Sequence, residues 1–306
     1  MTATRIRLGL FGAMVLAAAC GTDNKNPYAP GVDTTRPADA GVTPTPTPDA
    51  GGAPEVAAGG PSMPGTPTPP IGGKVVPTRF IVLGDSIAAC SNVGNENGAN
   101  CSAKKLFDYV KASYAPALVY QNGAVGGAVT ADVSDRQLQT VTPGPGHALV
   151  LIYIGGNNLA KYLFAGDAVA ERGYMTDLPG IKANWEAIFG FFQDKTKFPD
   201  GSTVLMNNQY NPFDDCTAAP YFLSAKKNML LDAFNKELVA IATAKGAVLT
   251  DQHTPFLGHG HHYSVRTCPH YKDNQTPWMD DLIHPNAAGH ENLFQQWKTT
   301  VDRLYR

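Results

Sequence analysis

The stretch "FIVLGDSIAAC", residues 80–90, carries four apolar residues straight into Gly84-Asp85-Ser86. A short apolar run closed by a turn signal reads as a buried strand, and Gly84 lets the chain bend sharply at its end. Ser86 is then either an ordinary turn serine or a hydroxyl presented at a strand terminus. Four further stretches read as buried strands: "ALVYQNG" (117–123), "ALVLIYIGG" (148–156), "STVLMNNQ" (202–209) and "AVLTD" (247–251). Between them, "SAKKLFDYVKASY" (102–114), residues 181–193 and "SAKKNMLLDAFNKELVAIATAKG" (224–246) have helical periodicity. The last segment, 285–305, places Leu293, Phe294, Trp297, Val301 and Leu304 on one helical face, with Pro285 expected in its first turn. Strands alternating with helices predict an α/β fold, a five-stranded parallel sheet with helices on both faces in a three-layer sandwich.

In such sheets ligands bind outside the carboxyl ends of the strands. Those positions hold the chemically distinctive residues: Gly84-Asp85-Ser86 after the first strand, Asn122 to Gly127 after the second, and Gly155-Gly156-Asn157-Asn158 after the third. The fifth strand leads into a long loop ending at "DDLIHPNAAGH". Acyl transfer needs a nucleophile, a base, a group that orients the base, and donors facing the developing oxyanion. Ser86 is the candidate nucleophile and His284 the candidate base. Asp281, three residues earlier, can reach the far ring nitrogen and fix the tautomer. Gly127 can offer an unobstructed backbone N–H and Asn157 a side-chain N–H₂. Each residue alone has a plainer explanation as a turn, a helix cap or a satisfied polar group. Their joint occurrence at strand ends is what points to chemistry. Asp280, in "MDDLIH", competes with Asp281 for the orienting role.

These blocks resemble the SGNH (GDSL-type) hydrolases. The first appears as "GDSI", with Ile87 where Leu is commoner; the second as "NGAVGG", with Ala124 at the inner small position and Gly127 as the oxyanion glycine. The third appears as "GGNN", with Asn158 in place of the frequent Asp, and the last as "DLIHP". The resemblance covers residues 78–306 and implies a flavodoxin-like three-layer fold and a serine esterase that needs no metal or cofactor. Family members include lipases, lysophospholipases, arylesterases, thioesterases and polysaccharide acetylesterases, and the shared blocks do not separate these. A non-catalytic surface binding lipoprotein that keeps the fold is the alternative in a different class.

The rest of the chain concerns its address. A formal net charge of -2 over 306 residues makes neither nucleic acid nor an anionic membrane surface an obvious partner. Residues 1–19 combine Arg5, Arg7 and the apolar "LGLFGAMVLAAA", as a secretory signal does. "LAAAC" resembles a bacterial lipobox ending at Cys20, although Ala17-Ala18-Ala19 also suits an ordinary signal peptidase. Residues 20–77 read as a disordered Pro/Thr/Gly/Ala-rich tether, because a segment with 13 of the chain's 24 prolines and one aromatic cannot assemble a core. Its mean reach is on the order of 40 Å. The expected address is a cell-surface or periplasmic lipoprotein, held to the membrane by a lipid on Cys20, or otherwise secreted. The ester substrate is a small molecule or polymer-linked.

If Cys20 takes a lipid, the other four of the five cysteines can form two disulfides, Cys90 with Cys101 and Cys216 with Cys268. Four buried free thiols are the alternative. The loop "GHGHHYSVRTCPHY" (258–271) is either a lid near the site or a metal ligand set of His259, His261, His262 and His270. Phe213, Tyr221 and Phe222, after the fourth strand, either line an acyl or sugar pocket or pack an irregular loop.

Overall fold

A computed structural model describes residues 75–219 and 223–306. The leader, Cys20 and nearly all of the proline-rich segment lie outside the described residues, as do Tyr221 and Phe222.

Five parallel strands form one sheet: β1 (Arg79–Gly84), β2 (Val119–Asn122), β3 (Ala148–Tyr153), β4 (Ser202–Asn207) and β5 (Val248–Thr250), in the order β2-β1-β3-β4-β5. The helices are α1 (Ser86–Ala89), α2 (Ser102–Ser113), a helical segment α3 (130–140), α4 (Gly156–Ala160), α5 (Asp167–Gln193), α6 (Ala225–Lys245), α7 (His253–Phe256) and α8 (Ala287–Tyr305). Among the described residues, no helix is long and apolar enough to cross a membrane.

Period-two alternation distributes the strands' side chains between two cores. Phe80 and Val82 of β1 and Leu149 and Leu151 of β3 pack with Leu106 and Val110 of α2 and with Leu293, Trp297 and Val301 of α8. Ile81 and Leu83, with Val150 and Ile152, face Val133 of α3, Trp185, Ile188 and Phe189 of α5, and Phe234 and Leu238 of α6. Both faces of β1 and β3 are therefore covered, which is why these strands read as unbroken apolar runs. The three layers expected from the sequence are present.

Two helices differ from expectation. α5 begins at Asp167 and runs through Pro179, where the sequence reading starts a helix only at residue 181. The proline removes one N–H from the ladder; its i−4 neighbour, Met175, is an exposed residue, so water can take up the freed carbonyl. Buried Ala170 and Tyr174 anchor the first half of the helix. At α8, the cap is Asn286, whose side chain accepts from the N–H groups of Ala288 (2.9 Å) and Gly289 (3.1 Å). Pro285 consequently precedes the cap and does not enter the first turn.

Candidate active site

The carboxyl end of β1 is bent by Gly84, which has φ +139°. A Cβ there would lie 1.9 Å from the carbonyl oxygen of Tyr153 on β3, so no side chain fits. The N–H of Asp85 instead donates to that carbonyl at 3.0 Å. The β1–β2 pairing ends at Val82–Asn122; beyond it the Val125 N–H still donates to the Gly84 carbonyl at 3.0 Å, and the amide of Gln137 adds two bonds. Gln137 accepts from the Gly84 N–H and donates to the Gly84 carbonyl, both at 2.8 Å. Gln137 closes a π-helical turn, Val133–Gln137, within α3; such turns are rare and occur often at functional sites.

Asp85 caps α1 by accepting from the Ile87 N–H at 3.0 Å, and Ser86 becomes the first residue of that helix. Burial pushes the Asp85 carboxyl up to about 7, against the opposing pull of the Ile87 N–H and of His284. An acid whose folded value is raised keeps its proton in the folded state while the unfolded chain has lost it. Stability therefore falls as pH rises between about 4 and about 7. Asp85→Asn removes that titration and keeps an acceptor for Ile87. Its melting temperature is expected to decline less than the wild type's between pH 5 and pH 8; parallel declines in the two proteins would reject the assignment.

His284 meets Ser86 from the far end of the chain. Ser86 Oγ lies 2.9 Å from His284 Nε2, and His284 Nδ1 lies 2.8 Å and 3.0 Å from the two oxygens of Asp281. A carboxylate only accepts, so the ring proton sits on Nδ1 and Nε2 is left to accept from the Ser86 hydroxyl. Asp281 also accepts from the N–H groups of Ile283 (2.9 Å) and His284 (2.8 Å). Burial alone would raise this carboxyl, but the hydrogen bonds and charge of His284, with the two backbone donors, hold it below the usual range. Asp280 takes no part: it is exposed, and its backbone N–H closes the loop onto the His284 carbonyl at 2.8 Å.

The expected oxyanion donors lie on the neighbouring strand ends. The segment after β2 passes beside Ser86, with Gly126 placed so that an added Cβ would be 3.9 Å from Ser86 Cβ. Gly127 has φ +78° and faces open space. Asn157, in the first turn of α4, donates one amide hydrogen to the Ala128 carbonyl at 3.0 Å, which leaves its second donor available. Asn158 ties the same two segments together by accepting from the Thr130 N–H at 3.1 Å.

Both disulfides form as paired in the sequence reading, Cys90–Cys101 and Cys216–Cys268. The first closes a loop whose Asn92 donates to the carbonyl of Pro285, the residue after His284. The histidine loop is pinned by the second disulfide and by buried Asp214, which accepts from the N–H groups of Gly258 (2.8 Å), Gly260 (2.7 Å) and His262 (2.9 Å). Its four histidines do not converge. His259 stacks on Trp278 at 3.6 Å, His261 faces the Leu282 carbonyl, and His270 faces Asp215. His262 has carbonyl oxygens at both ring nitrogens, Phe213 at 3.1 Å and Ala218 at 2.9 Å. His262 does lie beside the sulfurs of Cys216 and Cys268, but those sulfurs are bonded to each other.

Ser86, His284 and Asn157 open onto one cavity of about 130 Å³, which Phe213 also lines. Of the residues that shape this site, Gln137 and Asp214 carry no sequence signal. Each acts on backbone groups more than 40 residues away, at Gly84 and at 258–262 respectively.

A crystal structure named for a GDSL-like lipase of Parabacteroides merdae matches with TM-score 0.55 at 16% identity, covering 77% of this chain and 100% of that one. An extracellular lipase from Streptomyces rimosus matches at 21% identity and TM-score 0.47, over 73% of this chain and 98% of its own. An acetylxylan esterase from Geobacillus stearothermophilus matches at 15% identity and TM-score 0.46, over 73% and 93%. Among curated proteins none matches the sequence significantly. The family profile of the GDSL-like lipases/acylhydrolases matches residues 82–291, more than half of the chain and a span that reaches from β1 past His284. The chain belongs to the GDSL-like lipase/acylhydrolase family.

Proposed function

We propose that the chain is an exported serine esterase in which Ser86 is the nucleophile, His284 the general base and Asp281 its orienting acid. The observation that carries this reading is the continuous hydrogen-bonded line from Ser86 Oγ through the His284 ring to Asp281. As Oγ bonds to the ester carbonyl carbon, its proton passes to Nε2, and Asp281 stabilises the imidazolium. The oxyanion is met by the Gly127 N–H and the free amide hydrogen of Asn157; one such donor contributes roughly 3 to 4 kcal/mol of transition-state stabilisation. Collapse expels the alcohol, which takes the proton from Nε2. A water then repeats the sequence on the acyl-enzyme, releasing the acid and restoring Ser86.

Export is part of the same proposal. Residues 1–19 are the leader, Cys20 the lipidated terminus, and 20–77 the tether that holds the domain away from a membrane. Two disulfides support an oxidising address.

A fluorophosphonate probe tests the chemistry without a guess at substrate. The wild type is expected to take one label, located on Ser86 by peptide mass, and His284→Ala to take none at the same exposure. An unlabelled wild type that is folded and disulfide-bonded overturns the proposal.

A further inference from the structure

The cavity beside Ser86 runs between the α4 turn and the first turns of α5 and α6. Its wall away from the nucleophile is apolar: Leu159, Leu163, Ala170, Phe213, Leu230 and Leu231. Besides Asp85, Ser86, Asn157 and His284, five polar side chains line it, and all of these but Tyr174 have partners elsewhere. Gln209 donates to the Ile154 carbonyl at 3.1 Å and Lys227 to the Leu163 carbonyl at 2.7 Å. The hydroxyls of Tyr162 and Tyr210 bond to Asp177 and to the Ile283 carbonyl. A site for sugar hydroxyls would present several such groups unpaired. This wall offers one, Tyr174, amid hydrocarbon.

Size points the same way. A cavity of about 130 Å³ holds about ten water-sized groups, at roughly 10–15 Å³ each on this measure. An acetyl group would fill little of it. The walls are also fastened: Ser224 donates to Asp167 at 2.6 Å and Lys226 pairs with Glu171 at 2.7 Å, holding the start of α6 to the start of α5.

We infer that this cavity is an acyl-chain pocket, and that the enzyme prefers unbranched acyl chains of about eight to ten carbons over acetyl. The inference rests on the esterase reading above. Ala170, on the wall of this pocket, is a residue whose enlargement would shorten the accepted chain.

Two measurements separate failure of the pocket from failure of the chemistry. With 4-nitrophenyl esters from acetyl to decanoyl, kcat/KM is expected to climb about three- to fourfold per methylene, passing 100-fold by octanoyl. Ala170→Phe is expected to lose at least tenfold more on octanoyl than on acetyl ester, and Leu231→Phe provides a second filled pocket should the first misfold. Independently of turnover, calorimetry on Ser86→Ala is expected to show decanoate binding and no acetate binding. Hydrolysis fastest on acetyl or benzoyl ester, with decanoate unbound, overturns the pocket and leaves the esterase standing. Decanoate binding without hydrolysis of any ester by the wild type upholds the pocket and overturns the esterase.

Discussion

Ser86→Ala is expected to lower kcat on any accepted ester by roughly a million-fold, His284→Ala by a similar factor, and the double variant by no more than either. Non-additivity is the informative part. Ser86 and His284 share one proton across 2.9 Å, so neither retains its role once the other is gone. Binding and the oxyanion donors survive, and KM is expected to stay near its wild-type value. Asp281→Asn is expected to cost about 10⁴ in kcat, because an amide no longer enforces the Nδ1–H tautomer. Initial rates at saturating substrate, with melting curves as the folding control, decide the matter. Losses that multiply in the double variant would show that the two residues act separately and would remove the triad.

Gly84→Ala is expected to destabilise the domain by roughly 4 kcal/mol or more, the range of the most disruptive single substitutions. Two causes combine. The φ of +139° is unfavourable for a residue with a side chain, and the new methyl would overlap the Tyr153 carbonyl oxygen at 1.9 Å. Relief by backbone shift would break the Asp85 N–H bond to that carbonyl and the Gln137 clamp. Urea unfolding followed by circular dichroism measures the effect. A midpoint within experimental error of wild type would mean that the bend is not needed for folding.

The strand ends were legible because their chemistry is local. Gly84, Ser86, Asn157 and the Asp281–His284 pair each sit within a few residues of a strand terminus or of one another, and their spacings are imposed by a single turn. The sheet was legible for a related reason: strands covered on both faces leave unbroken apolar runs. Gln137 was hidden because it takes the Gly84 N–H from a position 53 residues later, a need that exists only once β2 stops at Asn122. Asp214 was hidden because it satisfies three N–H groups of a loop that begins 44 residues later. The first half of α5 was obscured by Gly173, Pro179 and Gly180, local helix breakers overridden by the burial of Ala170 and Tyr174. The histidine loop misleads in the opposite direction, since its repeated side chains reach different partners.

The hydrogen bond between Ser86 and His284 joins residues 198 positions apart. A chain that emerges N-terminus first, from a ribosome or through a membrane pore, delivers its serine long before its histidine. Closing so long a loop comes late for reasons of chain entropy. On the proposed mechanism, any fragment cut before residue 284 holds all five strands and a serine without its base.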